Sequence, residues 1–541
     1  MFTALKSDRC SAQEDNLVHT CADNPRNGVT KAEARDVVRQ IAYVLRHRFD
    51  IGRQGPGKDV VLATSSLSPF LPIVFYGIMA AGGVYSGAST AFSVGELVRQ
   101  IKTAEAKLLI CSKEYEKNMT AAAKECHVPP DRILVIDSSV PKQWKLLSSG
   151  FSQADVLQSF GGRMMDWQRL SNLRDLTNTT ACLLFSSGTT GLPKGVRLSH
   201  WNLVANNVFS MEAGARYKAR RTREGRPFTF RTIAHLPMAH IAGIQQFSIN
   251  PFYMGGTAYW MPKYDFDKFI EYSRRYKTTY QLTVPPIWLQ VAKSSKVTNH
   301  FDSLEIACSG AAPMGLELVK EISNKLGQGK IFMTQTWGTT ETDGSITATD
   351  WDIRDETGSV GGILPNVKLR IIDDDDKDVQ PGEIGEMLVS GPGVCQGYHN
   401  NPSATSAAFL DGFYRTGDVG YFKNDLIYLV DRKKELIKYK GLQVAPAELE
   451  DLLMSHPKIA DAAVIGVQSK KYGSEVPKAF VVASAVSGKE VMDFVKANLS
   501  GHKQLRGGVE FVDEIPKSAS GKILRKELRL RPFVERAKAK L

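Results

Sequence analysis

The strongest signal for fold and chemistry in this 541-residue chain is the segment Leu183-Leu184-Phe185-Ser186-Ser187-Gly188-Thr189-Thr190-Gly191-Leu192-Pro193-Lys194. Its first three residues are apolar or aromatic and predict a buried strand. The loop after them combines glycines, which admit an anion close to the backbone, with four hydroxyl groups and the ammonium of Lys194. It predicts a phosphate-binding loop. It differs from the common P-loop, because no Gly-Lys-Ser/Thr step leads into a helix.

Six further motifs follow this loop along the chain. They are Leu236-Pro-Met-Ala-His240, Ser309-Gly-Ala-Ala-Pro313, Gln335-Thr-Trp-Gly-Thr-Thr-Glu341, Tyr414-Arg-Thr-Gly-Asp418, Asp431-Arg-Lys-Lys-Glu-Leu-Ile-Lys438-Tyr-Lys-Gly-Leu-Gln443 and Pro516-Lys-Ser-Ala-Ser-Gly-Lys522. Together with the loop they resemble, in content and order, the signature of the adenylate-forming (acyl-activating) superfamily. The nearest resemblance is to the 4-coumarate:CoA ligase-like acyl-CoA synthetases.

This resemblance implies an acid–thiol ligase that uses ATP, Mg²⁺ and CoA. A carboxylic acid is converted to acyl-AMP with release of pyrophosphate, and the acyl group then passes to CoA as a thioester. An acyl-AMP ligase that loads a carrier protein is the alternative. A nucleotide-binding scaffold without chemistry is disfavoured, because the transfer lysines are retained.

The resemblance also implies roles for individual residues. Lys522 contacts the acyl oxygen and the α-phosphate, while Glu341 holds Mg²⁺ through a hard carboxylate oxygen. Asp418 accepts the ribose hydroxyls, and Trp337 takes the adenine-stacking place usually held by Tyr. The implied catalytic residues are Lys522, His240, Thr340, Glu341 and Lys434. The implied ATP- and AMP-binding residues are Ser186, Ser187, Gly188, Thr189, Thr190, Gly191, Lys194, Gln335, Thr336, Trp337, Thr340, Asp418, Arg432, Lys438, Gln443 and Lys522.

The resemblance implies that thioester formation, the second half-reaction, needs rotation of a C-terminal domain about a hinge at Lys434. The implied CoA-binding residues are Lys263, Lys440 and Gly441, and the implied acyl pocket contains His240, Ala242, Gly310, Ala311 and Ala312. Ala242 departs from the hydroxycinnamate ligases, which carry a tyrosine there that bonds the phenol of the substrate. The small residue favours a medium- or long-chain aliphatic acid, or an unsubstituted aryl acid, over 4-coumarate.

Short apolar strands alternating with periodic helices predict an α/β fold with largely parallel sheets. We expect strands at 60–64, 107–111 and 132–137, a helix at 31–46 and one buried helix at 70–85. From 367 to about 430 the pattern changes to short alternating strands, which predicts a β-barrel-like subdomain. We therefore expect a large N-terminal AMP-binding domain of layered α/β subdomains, 1–431, and a small mobile α+β domain for AMP binding and CoA transfer, 432–541.

Composition narrows the remaining possibilities. The chain has 43% hydrophobic and 23% charged residues, which is typical of a globular protein, and its longest apolar run is too short and too rich in Gly and Pro to span a bilayer. Seven scattered cysteines predict reduced thiols in an intracellular compartment. The net charge of +12 is assigned to phosphate-rich ligands and not to nucleic acid, because the basic residues lack interleaved aromatics. The acidic run 373–376 is interpreted as a solvated hairpin tip.

The last three residues, Ala539-Lys540-Leu541, resemble the Ser-Lys-Leu peroxisomal address. They predict a peroxisomal import receptor as a partner and the peroxisome as the location. The cytoplasm is the alternative.

Overall fold

A seven-stranded sheet forms the framework of the N-terminal half. The protein is described here from a computed structural model that covers residues 11–150, 153–186, 193–440, 442–518 and 521–531. Five neighbouring strands run parallel, and an antiparallel strand closes each edge. In spatial order the strands are Lys145–Ser148, Ile133–Asp137, Leu108–Ser112, Val60–Thr64, Val84–Gly87, Thr180–Ser186 and Lys194–Ser199.

Both faces of this sheet are covered by helices, as parallel strands require. Alternate residues of one strand therefore enter different cores: Val61 and Ala63 join one hydrophobic cluster, whereas Val60 and Leu62 join the other. The covering helices are Lys31–Arg48 and Leu71–Ala80 on one face, and Val94–Ala104 and Glu116–Glu125 on the other. This doubly covered sheet is the predicted α/β layer.

One predicted element is wrong in extent. The run 70–85 is not a single helix: Leu71–Ala80 is helical, and the chain then turns and forms the strand Val84–Gly87. Gly82 has a φ of +82°, a left-handed conformation that ends a helix at little steric cost. The β-branched Val84 and aromatic Tyr85 that follow favour a strand.

Two further sheets complete the large domain's core. Arg231–Ala234, Thr257–Trp260, Leu17–Cys21 and Gly28–Thr30 form one, and Tyr280–Thr283, Ile306–Ser309 and Thr334–Gln335 form the other, which is parallel. Between their strands lie the helices His200–Ser210, Glu212–Arg223, Ile241–Gly243, the π-helix Ile244–Ile249, Asn250–Met254, Phe266–Arg275, Pro285–Lys293 and Leu316–Ser323. None of the helices among the described residues has the length and apolar character needed to cross a membrane.

The segment predicted as a barrel-like subdomain is an antiparallel sheet with one helix. Its strands are Lys368–Ile372, Gly385–Ser390, Phe409–Leu410, Phe413–Lys423 and Leu426–Arg432, and its helix is Pro402–Ala407. Among these described residues the strands form an open sheet and not a closed barrel, and Leu426–Arg432 pairs with Phe413–Lys423. The acidic run is also more than a solvated tip, because Asp374 lies 3.1 Å from Lys433 Nζ and Asp376 pairs with Arg415 at 2.5 Å.

The C-terminal segment has its own hydrophobic core. A hairpin of Ile437–Tyr439 and Leu442–Val444 precedes the helix Pro446–Met454, and the strands Ile459–Ser469, Ser474–Ala483 and Val509–Phe511 form a sheet. The helices Gly488–Asn498 and Arg525–Leu530 pack around it. Ser487 and Glu490 begin the first of these helices with a capping box, a local signal readable from sequence.

Candidate active site

The predicted phosphate loop leaves the sheet at the end of the strand Thr180–Ser186. Five of its predicted ligands, Ser187, Gly188, Thr189, Thr190 and Gly191, lie outside the described residues. Both ends of the loop are described: Ser186 is the last residue of one strand, and Lys194 is the first residue of its antiparallel neighbour. The strand pair therefore brings a hydroxyl and an ammonium group to one edge of the sheet.

Glu341 lies opposite this edge on the short 3₁₀ turn Thr340–Thr342 and is buried. Its Oε1 accepts a hydrogen bond from Ser186 Oγ at 2.8 Å and another from Tyr398 Oη at 3.1 Å. No described residue donates to Oε2. A carboxylate with one oxygen held and the other available suits Mg²⁺, which takes one or two carboxylates besides phosphates. When bound, Mg²⁺ neutralises charge on the phosphate oxygens.

Asp418 is the second buried carboxylate of the site, on the strand Phe413–Lys423 opposite Arg432 of the next strand. Arg432 Nε lies 3.1 Å from Asp418 Oδ1, and Trp337 Nε1 donates to Asp418 Oδ2 at 2.8 Å. The Trp337 ring is only 4% exposed and packs in a hydrophobic cluster with Tyr414. Adenine stacking by Trp337 stays a prediction, whereas the structure gives its indole N–H a contact that the sequence did not suggest.

Lys522 reaches the same crevice from the C-terminal segment. It is half-buried in a loop before the helix Arg525–Leu530. Burial, and after it the charge of Arg432, lower the pKa of Lys522 to about 8, while the charges of Asp418 and Glu341 oppose the shift. The Lys522 ammonium therefore lies within electrostatic range of both carboxylates.

The Lys522 loop packs against the large domain. A Cβ placed at Gly521 would lie 2.9 Å from Pro286 Cδ and 3.2 Å from Val284 Cβ, at the start of the helix Pro285–Lys293. Only a glycine therefore fits at this contact. The C-terminal segment is closed over the crevice in this arrangement.

His240 lies on the other side of the crevice, immediately before Ile241–Gly243. Burial lowers its pKa to about 4, and the charge of Lys522 contributes. His240 is thus a neutral imidazole at neutral pH, which can orient a carboxylate by hydrogen bonding without neutralising it.

The predicted acyl-pocket residues differ in their surroundings. Ala242 is half-buried against the main hydrophobic core, and a Cβ placed at Gly310 would meet Thr336 Cγ2 at 3.2 Å. Ala312 is half-buried, whereas Ala311 is exposed and has a φ of +76°, a strained value for a residue with a side chain.

Gln335 and Thr336, which are predicted to bind the nucleotide, already make side-chain hydrogen bonds to the protein backbone. The Gln335 side chain is buried. Its amide oxygen accepts a hydrogen bond from Met314 N at 2.8 Å, and its amide nitrogen donates one to Met314 O at 3.1 Å. Thr336 Oγ1 donates to Thr347 O at 2.7 Å. Thr340 is half-buried beside Glu341.

The predicted hinge residue follows Arg432 by two positions. Lys434 Nζ lies 3.8 Å from Glu435 Oε1, and burial lowers the pKa of Lys434. Its hinge role stays a prediction.

The structure does not bring the hairpin residues Lys438, Lys440 and Gln443 into the crevice. All three are exposed, and Lys438 faces Gln443 across the hairpin. The Lys438 N–H donates to Glu475 and the Lys440 N–H donates to Ser474, each at 2.9 Å. The AMP contacts of Lys438 and Gln443 stay predictions, while the hairpin backbone is bonded to Glu475 and Ser474 of its own domain.

The remaining CoA-site predictions also stay open. Gly441 lies outside the described residues. Lys263 is exposed in the loop between Thr257–Trp260 and Phe266–Arg275. The rotation about Lys434 that the resemblance implies, which would bring Lys440 to the crevice, stays a prediction.

Tyr398 is the site residue that sequence reasoning missed. It lies in Gln396-Gly397-Tyr398-His399, a stretch with no residue pattern that points to chemistry. Its side chain contacts Glu341 and Lys194, which are far from it in sequence.

Comparisons with known proteins agree with these motifs. The family model of AMP-binding enzymes matches residues 8–399, and that of the AMP-binding enzyme C-terminal domain matches residues 448–522. A putative acyl-coenzyme A synthetase of Emericella nidulans is 46% identical over 524 residues, which are 95% of this chain and 92% of that protein. A phenylacetyl-CoA ligase of Aspergillus niger is 35% identical over 96% of this chain and 95% of the ligase.

Among solved structures, ATP-bound MatB from Rhodopseudomonas palustris is similar along the whole chain. It is 26% identical, with a TM-score of 0.80 and 97% of each chain covered. The chain therefore belongs to the AMP-binding enzyme family, the adenylate-forming superfamily, as an AMP-forming ligase of the acyl-CoA synthetase type.

Proposed function

We propose that this acyl-CoA synthetase activates apolar carboxylic acids that carry no phenolic hydroxyl, with medium- and long-chain aliphatic acids preferred. The observation that carries the proposal is Ala242. Its methyl group offers no hydrogen bond, so a phenol placed there would lose its partner at a cost of about 1–3 kcal/mol. The small residues Gly310 and Ala312 support the same interpretation, because they leave room for a long acyl group.

An unsubstituted aryl acid is the second candidate. The relative from Aspergillus niger is named a phenylacetyl-CoA ligase, and a phenyl ring without a hydroxyl is compatible with an apolar pocket. Both candidates make the same prediction about phenols.

The test is a substrate panel with the purified full-length protein. Pyrophosphate release is measured with ATP and Mg²⁺ for saturated acids of increasing length, phenylacetate, cinnamate and 4-coumarate, with and without CoA, and products are identified by mass spectrometry. We expect cinnamate to exceed 4-coumarate in kcat/KM by about tenfold, the equivalent of one lost hydrogen bond. A preference for 4-coumarate would refute the proposal. Acyl-AMP that accumulates despite CoA would instead indicate loading of a carrier protein.

We propose roles for the chain's own residues as well. The charges of Glu341 and Asp418 act on Lys522, and its ammonium would stabilise the negative charge that two reacting anions share. Neutral His240 would orient the carboxylate, and Asp418 would hold the ribose. Holding the acid and the nucleotide in line supplies much of the rate, because a bimolecular step becomes intramolecular.

We also propose that the protein works in the peroxisome. The support is the C-terminal Ala539-Lys540-Leu541, which lies outside the described residues. An N-terminal fluorescent fusion should colocalise with a peroxisomal marker, and deletion of the three residues should leave it in the cytoplasm. Colocalisation that survives the deletion would contradict the proposal.

A further inference from the structure

Tyr398 contacts two oppositely charged residues of the site through different parts of one side chain. Its hydroxyl donates to Glu341 Oε1 at 3.1 Å, and Lys194 Nζ lies 4.9 Å from the centroid of its ring. The first contact is a hydrogen bond to a charged acceptor, and the second is a cation–π interaction. The phosphate-loop lysine and the predicted metal carboxylate therefore share one neighbour.

The backbone around Tyr398 is fixed by the sheet. His399 N–H donates to Gly195 O at 2.7 Å, which pairs this segment with the strand Lys194–Ser199. Tyr398 N–H donates to Thr405 Oγ1 at 2.9 Å on the other side. The direction of the ring is thus set by the same strand that carries Lys194.

The hydroxyl acts together with Ser186 on a single oxygen. Both donate to Glu341 Oε1, and no described residue donates to Oε2. Among the described residues no ion pair joins Lys194 to Glu341, although Tyr398 touches both. The two charges are held in place without neutralising each other.

We propose that Tyr398 is a positioning residue that orients Glu341 for Mg²⁺ and Lys194 for the phosphates. The hydroxyl, with Ser186, holds Oε1 and leaves Oε2 to the cation, and the ring supports the ammonium. The inference rests on the proposed role of Glu341 in holding Mg²⁺.

The test is ATP binding by isothermal titration calorimetry, without acid or CoA so that no turnover occurs, once with Mg²⁺ and once with EDTA. Tyr398→Phe removes only the hydroxyl, and we expect MgATP to bind about tenfold more weakly while metal-free ATP changes by less than about twofold. Tyr398→Leu removes the ring as well and should weaken both forms. Tyr428→Phe, in a ring that stacks on Tyr421, is the matched control and should change neither.

The outcomes separate this inference from its premise. Wild-type protein that binds both forms of ATP equally would remove the metal role of Glu341 and the inference with it. A wild-type preference for MgATP that Tyr398→Phe leaves unchanged would overturn the role of Tyr398 alone. Equal weakening of both forms by Tyr398→Phe would also overturn it, because a general structural effect does not depend on Mg²⁺. Melting temperatures of all variants verify folding.

Discussion

Replacing Gly521 by alanine should impair acyl-AMP formation selectively. Gly521 has a φ of +77°, which costs a residue with a Cβ about 1–2 kcal/mol wherever the loop keeps its shape. The added Cβ would also lie 2.9 Å from Pro286 Cδ and 3.2 Å from Val284 Cβ, closer than ordinary contacts. That second cost, about 1–3 kcal/mol for overpacking, applies only when the C-terminal domain is closed over the crevice.

The equilibrium constant for closing should consequently be about 5–150-fold lower in Gly521→Ala. Adenylation, which is predicted to need Lys522 in the crevice, should fall by up to that factor. Conversion of supplied acyl-AMP and CoA to acyl-CoA should change by less than about twofold, because the resemblance assigns it to the other domain orientation. The two half-reactions are measured separately, by pyrophosphate exchange and by thioester formation from synthetic acyl-AMP.

Gly473→Ala is the matched control. Gly473 has a φ of +61° in the turn between the strands Ile459–Ser469 and Ser474–Ala483, and an added Cβ would meet no atom within 4 Å. The Gly473→Ala variant therefore has the same kind of backbone strain but no contact between the two domains. Equal loss in both half-reactions for Gly521→Ala, or a loss no larger than that of Gly473→Ala, would refute the reasoning.

Three further predictions concern charge, positioning and stability. The kcat/KM for adenylation should fall as pH rises through about 8, because Lys522 loses its charge above its pKa of about 8. Lys522→Arg should remove this decrease at alkaline pH, since arginine stays charged. A decrease that persists in the variant would mean that another group causes it. Trp337→Phe removes the indole N–H that donates to Asp418. It should raise KM for ATP about tenfold and reduce the preference for ATP over 2′-deoxy-ATP. An unchanged preference would contradict this. Arg525 donates to both carboxylate oxygens of Glu450, at 2.7 and 2.8 Å. Arg525→Leu would leave the Glu450 charge unpaired and should destabilise the C-terminal domain by about 3–5 kcal/mol in urea denaturation. An unchanged unfolding midpoint would contradict this prediction.

Much of the fold was predictable because it depends on local patterns. The strand expected at 60–64 is Val60–Thr64, and the helix expected at 31–46 is Lys31–Arg48, which begins with a capping box at Thr30. The failure at 70–85 has a local cause too: apolar content alone cannot distinguish a buried helix from a buried strand, and Gly82 divides the two.

Only the site residues that lie in recognisable sequence motifs could be predicted. Ser186 and Glu341 are 155 residues apart, and Tyr398 and Glu341 are 57 apart, so no local pattern signals their contacts. The same holds for Trp337, whose aromatic character suggested stacking while its indole N–H bonds Asp418.

The sequence by itself determined the family, the α/β class and the chemical types available to the site, since these follow from residue identity and order along the chain. Only the tertiary structure decided which oxygen of Glu341 is held, which residues surround Asp418, and that Lys522 and not Lys440 lies in the crevice. The physical reason is that these facts depend on distances between segments far apart in the chain.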